Sequence, residues 1–332
     1  MVFFPESTEQ LTRLIGVLKN TAVRFAVLGA GTNTLVSDGG YDGIVVCLRH
    51  YGRIELRGGN EDGNRRITLR NNDGNERENG RTEPQNKYGN GNKRGHVELY
   101  GGNGNDSERA ELRGAELQNY DRRVLVAAES GASMPRLAAF ARERSIGGFE
   151  FLSGIPGSVG GGVYMNAGAF GGEIGDILVY AEVLEIASGK IFTLGRDDLK
   201  LSYRYSLFQT PENKSKYVIL RSFFEAKTRE RAAIERAIGE YAKRRAESQP
   251  AEPSLGSVFR RIGKVIPAVL IDKAGLKGYN IGSACVSEKH AGFIVNCGNA
   301  SSSDFIALKE KIKETVFEKY GVRLKDEIEI LE

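Results

Sequence analysis

Two kinds of chemistry are written into this 332-residue chain: bare backbone able to meet a flat or anionic ligand, and a few charged or hydroxyl side chains placed near glycines. The run from Gly154 to Asp176 is the strongest case. Its glycines permit positive φ and close approach of the main chain, while successive N–H groups aim at one spot. Ile155, Pro156, Val159, Tyr164, Met165, Asn166 and Phe170 stand among them without a repeat. That is a shaped cofactor surface rather than low-complexity sequence. A second glycine turn, Gly29-Ala30-Gly31-Thr32-Asn33-Thr34, follows the apolar run Phe25–Leu28. It lacks the third glycine and the directly following helix of a dinucleotide-fold fingerprint, but it can wrap a pyrophosphate with backbone N–H groups and the Thr32 and Asn33 side chains. Tyr203-Arg204-Tyr205-Ser206 puts a guanidinium in an aromatic loop, where it could pair with a carboxylate or phosphate. Ser257 follows Gly256, a usual turn or cap position, and Arg260 and Arg261 nearby modestly favour an anion site. Glu327 lies in an alternating terminal strand, for which a solvated acidic face is the default.

The elements that must position these residues read as follows. Ser7–Gln10 has the capping-box pattern and opens a helix with apolar positions Leu11, Leu14, Ile15 and Leu18. Strands are expected at Phe25–Leu28, Gly43–Leu48, Arg123–Ala128, Val179–Ile186, Lys190–Leu194, Tyr217–Arg221, Ser283–Val286 and Gly292–Asn296. Helices are expected at Met134–Arg144, capped by Ser133, at Glu230–Glu247, at Pro267–Ala274 and at Asp304–Tyr320. The last carries one apolar stripe, Phe305, Leu308, Ile312, Val316 and Tyr320, and ends at Gly321. Residues 51–120 differ in kind. They are rich in Gly, Asn, Arg and Glu, and from Gly52 to Arg123 hold 14 Lys/Arg against 13 Asp/Glu. That balance excludes a basic nucleic-acid arm, and the scarcity of apolar surface predicts a disordered, low-complexity insertion.

Composition is that of a globular chain, 40% hydrophobic and 27% charged, with a net charge of +4. No run approaches the roughly 20 apolar residues of a membrane helix, and the N-terminus has no secretory pattern. Cys47, Cys285 and Cys297 are too scattered for a disulfide framework and are expected as buried free thiols. His50, His96 and His290 have no metal-ligand spacing, so no metal is expected. A cytoplasmic chain follows from these readings.

Taken together and in order, Gly29–Asp38, Gly154–Gly161, Met165–Glu173, Ser202–Ser206, Gly256–Phe259, Ala274–Gly278 and Val286–Phe293 resemble the UDP-N-acetylenolpyruvoylglucosamine reductase (UDP-N-acetylmuramate dehydrogenase, MurB) family. The resemblance covers nearly the whole chain outside the insertion. It implies an α+β protein: an FAD-binding domain of the vanillyl-alcohol-oxidase (PCMH) type over residues 1–227, interrupted by 51–120, and a C-terminal α+β substrate-binding domain over 228–332. It further implies noncovalent FAD, NADPH as co-substrate, and reduction of UDP-N-acetylglucosamine enolpyruvate to UDP-N-acetylmuramate by a monomer. By the same resemblance Arg204, Ser257 and Glu327 are catalytic. Gly29, Ala30, Gly31, Thr32, Asn33, Thr34, Ile155, Pro156, Gly157, Ser158, Gly160, Gly161, Asn166, Gly168 and Ala169 bind the cofactor, and Tyr203, Phe259, Arg260 and His290 bind substrate.

The chain departs from the family pattern in places. Arg260-Arg261-Ile262 replaces a common Lys-Asn-Pro, and Phe170 stands where tyrosine is frequent. The family pattern has a further segment ahead of the residues matching Val2-Phe3, so either the start is misassigned or a piece of the FAD domain is missing, and in the second case a weakened hold on FAD is expected. The alternatives are another FAD-linked oxidoreductase on the same scaffold, or an impaired flavin-binding homologue.

Overall fold

The computed structural model describes residues 1–58 and 124–332, and the bulk of the expected insertion, with His96, lies outside them. Ser7 Oγ caps helix α1 (Thr8–Leu18) by accepting the Gln10 N–H at 3.2 Å, and Gln10 returns its amide oxygen to the N–H of Glu6. Leu11, Ile15 and Leu18 turn inward, as their helical spacing requires. They pack on Val46, Leu48 and Tyr51 beneath a parallel three-stranded sheet ordered Val2–Phe3, Ile44–Cys47, Phe25–Leu28.

A five-stranded antiparallel sheet forms the centre, ordered Ile191–Gly195, Leu178–Glu185, Tyr217–Glu225, Leu125–Glu129, Ile54–Arg57. Its last two strands are the flanks of the polar segment. The insertion therefore begins later than residue 51: Tyr51 is 0% exposed and Ile54–Arg57 pairs with Leu125–Glu129. An insertion between two hydrogen-bonded neighbours costs the sheet little, because loop-closure entropy rises only slowly with length.

Helix α2 (Met134–Glu143), capped by Ser133, covers this sheet through Met134, Leu137, Ala138 and Ala141. Two short helices follow inside the glycine run, α3 (Val159–Met165) and α4 (Ile174–Ile177). Helix α5 (Arg231–Ser248) was assigned from sequence to the C-terminal domain. It packs Tyr241 against the central core and Arg245 beneath Gly154.

Beyond it, a four-stranded antiparallel sheet runs Ser254–Ser257, Phe293–Asn296, Ala284–Val286, Asn280–Ile281. It packs with helices α6 (Pro267–Lys273) and α7 (Ser302–Tyr320) over a separate core containing Ile271, Phe305, Leu308, Ile312 and Val316. Ser301 and Asp304 form a reciprocal capping box on α7, and Gly321 ends it at φ 68°. Tyr320 leaves the expected stripe and is exposed. The thiols also differ from expectation. Cys297 is exposed and the other two are half-buried. Among the described residues no helix is long and apolar enough to cross a membrane.

The terminal stretch is not one alternating strand. Lys325–Asp326 pairs with Phe259–Arg260, and Glu329–Leu331 runs parallel to Thr34–Val36. Glu327 falls at the break between them, and this places it between the two halves of the chemistry.

Candidate active site

The two glycine turns lie against each other, each main chain met by a side chain of the other. A Cβ on Gly29 would lie 1.9 Å from Ser158 Oγ, and Thr32 Oγ1 donates to the Pro156 carbonyl at 3.1 Å. Gly31, at φ 72°, has open space where a side chain would project. The N–H groups of Ala30, Gly31, Thr32 and Asn33 find no acceptor among the described residues. Backbone donors left this way need a partner from water or an anion. Helix α3 begins at the same place, with Ser158 as its cap and Gly161 exposed. Bare glycine surface beside unpaired donors is what a cofactor pyrophosphate requires, and the residues present fit FAD.

Not every expected cofactor residue is on that surface. Asn166 is 0% exposed and held at φ 44°. Its amide donates to the Ser202 carbonyl at 2.9 Å and accepts from the Gly175 N–H at 2.8 Å. It shapes the loop and cannot touch a cofactor. Ser158 and Gly160 are buried too, the first as a cap and the second against Ser130. Asn33 has a second task. Its side chain donates to the Glu327 carbonyl at 3.0 Å, and its own carbonyl accepts from the Glu329 N–H at 2.9 Å.

An open cavity of ≈ 560 Å3 lies on the other side of Glu327, lined by Gly168–Glu173, Asp176, Tyr203, Arg204, Ser257, Phe259, Arg261, Ile266–Ala268, His290, Gly292 and Glu327. Arg204 and Glu327 meet here at 2.6 Å, and Arg204 also donates to the Gly168 carbonyl at 3.0 Å. The N–H of Glu327 donates to the Val258 carbonyl at 2.8 Å, one residue from Ser257. Ser257 is aimed by a bulge between Ser254 and Ser257 in which Gly256 takes φ 78°. A Cβ on Gly256 would meet nothing, so glycine is needed there for its dihedral alone.

The carboxylate of Glu327 is only 12% exposed. Burial drives its pKa above the usual carboxylate value, and the attraction of Arg204, then of Arg260, opposes this without cancelling it. His290 is half-buried, which lowers its pKa, and its Nδ1 accepts the Gly292 N–H at 3.1 Å. The neutral ring then carries its proton on Nε2.

The cavity wall thus gathers Arg204, Ser257, Glu327, Tyr203, Phe259, His290, Gly168 and Ala169. It does not include residues 29–34 or 155–161, which form the neighbouring surface. Nor does it include Arg260, whose guanidinium turns to the Arg204 carbonyl and to Gln209. Arg261 lines the wall instead, over the Tyr203 ring at 4.7 Å. Glu173 and Asp176 also line it, and nothing local in an acidic pair ending a glycine run marks it as part of a cavity wall. A larger groove of ≈ 760 Å3 along α7 holds none of these residues, and its Lys311, Lys313, Glu310 and Glu314 pair with one another.

A glycine-lined cradle with unpaired donors, next to a cavity holding a guanidinium–carboxylate pair and a serine, marks a flavoprotein oxidoreductase with a separate substrate domain. Residues 110–195 match the family described as an FAD binding domain, and residues 249–331 match UDP-N-acetylenolpyruvoylglucosamine reductase, C-terminal domain. A relative named UDP-N-acetylenolpyruvoylglucosamine reductase, from Caldicellulosiruptor bescii, is 35% identical over 99% of this chain and 84% of its own length. One of the same name from Caldanaerobacter subterraneus subsp. tengcongensis is 34% identical over 98% and 85%. The crystal structure of UDP-N-acetylenolpyruvylglucosamine reductase (MurB) from Thermus caldophilus superposes with a TM-score of 0.67 at 26% identity, covering 100% of this chain and 92% of that one. The chain belongs to the UDP-N-acetylenolpyruvoylglucosamine reductase family.

Proposed function

We propose that this chain reduces UDP-N-acetylglucosamine enolpyruvate to UDP-N-acetylmuramate at the Arg204–Ser257–Glu327 cavity, with NADPH as reductant. The observation that carries the residue assignment is the gathering of these three side chains on one cavity wall from three distant parts of the sequence. Residues 29–34 and 155–161, with Gly168 and Ala169, would hold FAD, which when bound would supply a hydride to the β-carbon of the enolpyruvyl group. The chain's own residues do the rest. Negative charge develops at the α-carbon and spreads into the adjacent carboxylate. Arg204 stabilises it there by about 3–4 kcal/mol if it acts like an oxyanion-hole donor. Glu327 fixes the orientation of that guanidinium. Ser257 gives its hydroxyl proton to the α-carbon, which is basic enough to take it when the geometry is held.

The substrate's diphosphate calls for a cation at the cavity rim. Arg261 suits this role: it is exposed, stacked over Tyr203, and without a carboxylate partner among the described residues. Phe259, Tyr203 and neutral His290 would complete the contacts. We propose that the chain acts as a monomer. NADPH and nucleotide-activated sugars are metabolites of the cytoplasm, and we place the chain there. The test is NADPH oxidation by purified protein with and without the enolpyruvyl sugar nucleotide. Consumption that depends on the sugar nucleotide is expected. Consumption that proceeds on oxygen alone would identify an oxidase instead.

A further inference from the structure

Arg204 presents its side chain from a backbone at φ 54°, in the left-handed region that an arginine does not hold without support. That support is visible at its carbonyl. Arg260 Nη1 donates to this oxygen at 3.1 Å and Gln209 Nε2 at 3.2 Å. The two supporting side chains are joined, since Arg260 Nη2 donates to Gln209 Oε1 at 3.1 Å. Gln209 Nε2 is in turn anchored on the Tyr164 carbonyl at 2.8 Å. A planar fork can serve both acceptors at once, whereas a lysine ammonium is a compact point charge on a flexible stem. The Nε of Arg260 is buried without a partner, a cost accepted to place the fork.

We propose that Arg260 and Gln209 are positioning residues, a clamp on the Arg204 main chain that keeps its guanidinium between Glu327 and the cavity, and that Arg260 does not touch substrate. The inference rests on the function proposed above. It also gives a reason for arginine where the family pattern has lysine: the fork replaces a single charge.

The test compares Arg260→Lys and Gln209→Glu, each also in an Arg204→Lys background, as FAD-loaded protein. Steady-state turnover of the enolpyruvyl sugar nucleotide, calorimetric binding of UDP and the melting temperature are measured together. Arg260→Lys should lower kcat by about tenfold to a hundredfold, the effect of misplacing a catalytic group by a fraction of its reach, with UDP affinity unchanged. In the Arg204→Lys background the same change should lower kcat no further. Weaker UDP binding at full kcat would make Arg260 a substrate ligand and overturn the clamp. Equal losses in both backgrounds would reduce it to general scaffolding and overturn it as well. If Arg260→Lys melts far below the parent, Gln209→Glu decides the matter by the same comparison, since it removes the amide donor to the Arg204 carbonyl, adding a negative charge while keeping an oxygen acceptor for Arg260. Wild-type protein without sugar-nucleotide turnover would contradict the proposed function itself, a result distinct from either failure of the clamp.

Discussion

Around Gly29–Thr34 and Ile155–Gly161 the working surface is the main chain, whereas around Arg204 it is side chains drawn together over long sequence distances. Each half of the cradle is shaped locally by its own turn, although the two halves meet across 124 residues. Each turn carries its own glycines, and the turns touch at Gly29 against Ser158 and at Thr32, whose hydroxyl donates to the Pro156 carbonyl. The cavity is assembled globally. Arg204 meets Glu327 across 123 residues, and Arg260 reaches back 56 residues to the Arg204 carbonyl. The lesson is a division of sensitivity. Cofactor affinity should depend on backbone access and dihedral, turnover on the charged cluster, and the two should fail separately.

The sharpest way to break this comparison is Arg204→Lys. It should lower kcat by about 10²–10³-fold, as removal of a preorganised donor does, while the purified protein keeps its FAD absorbance. Loss of the flavin with the arginine would show that the two regions are one.

Gly29→Ala attacks the other side. The new Cβ must displace Ser158 and with it the cap of α3, so FAD binding should weaken about twofold to thirtyfold with UDP binding unchanged. Ser158→Gly in the same chain should restore part of the loss, measured by flavin titration.

Asn33→Ala tests the bridge between them. It removes the donor to the Glu327 carbonyl, and kcat should fall about twofold to tenfold, the value of one net hydrogen bond, with a smaller change in FAD affinity. A larger effect on FAD than on kcat would return Asn33 to the cofactor surface.

The smallest effect belongs to Asp38, whose carboxylate accepts from the Ser303 hydroxyl and from the Ser302 and Ser303 N–H groups at the start of α7. These bonds hold its pKa down at about 2, led by the Ser303 hydroxyl. A carboxyl with a lowered folded-state pKa contributes stability that is complete above about pH 4 and vanishes as pH falls to about 2. Asp38→Ala should therefore lower Tm at neutral pH, and the two melting curves should converge across that window.

What could be read from sequence follows the same division. Most of the strands, the Ser133 cap of α2, the Gly321 end of α7 and the glycine turns were legible because propensity and spacing are local properties. Helix α3 was hidden inside the glycine run, since three of its seven residues are glycines and its stability comes from burial of Val159 and Val163. Glu327 read as a solvated position because alternation says nothing about a partner more than a hundred residues away. The same blindness assigned Arg260 rather than Arg261 to the cavity: adjacent residues on a strand face opposite ways, and only the pairing of Phe259–Arg260 with Lys325–Asp326 determines which faces in. Family resemblance supplied the roles of Arg204, Ser257 and Glu327, and the fold supplied their meeting place.

The central claim, that Ser257 gives up a proton inside the Arg204–Glu327 cavity, is tested most directly by following the two half-reactions of Ser257→Ala in a stopped-flow instrument. Bleaching of the flavin by NADPH should proceed at the parental rate, and its return on adding the enolpyruvyl sugar nucleotide should slow by about 10²–10⁴-fold. Equal slowing of both phases, or no slowing of the second, would contradict it.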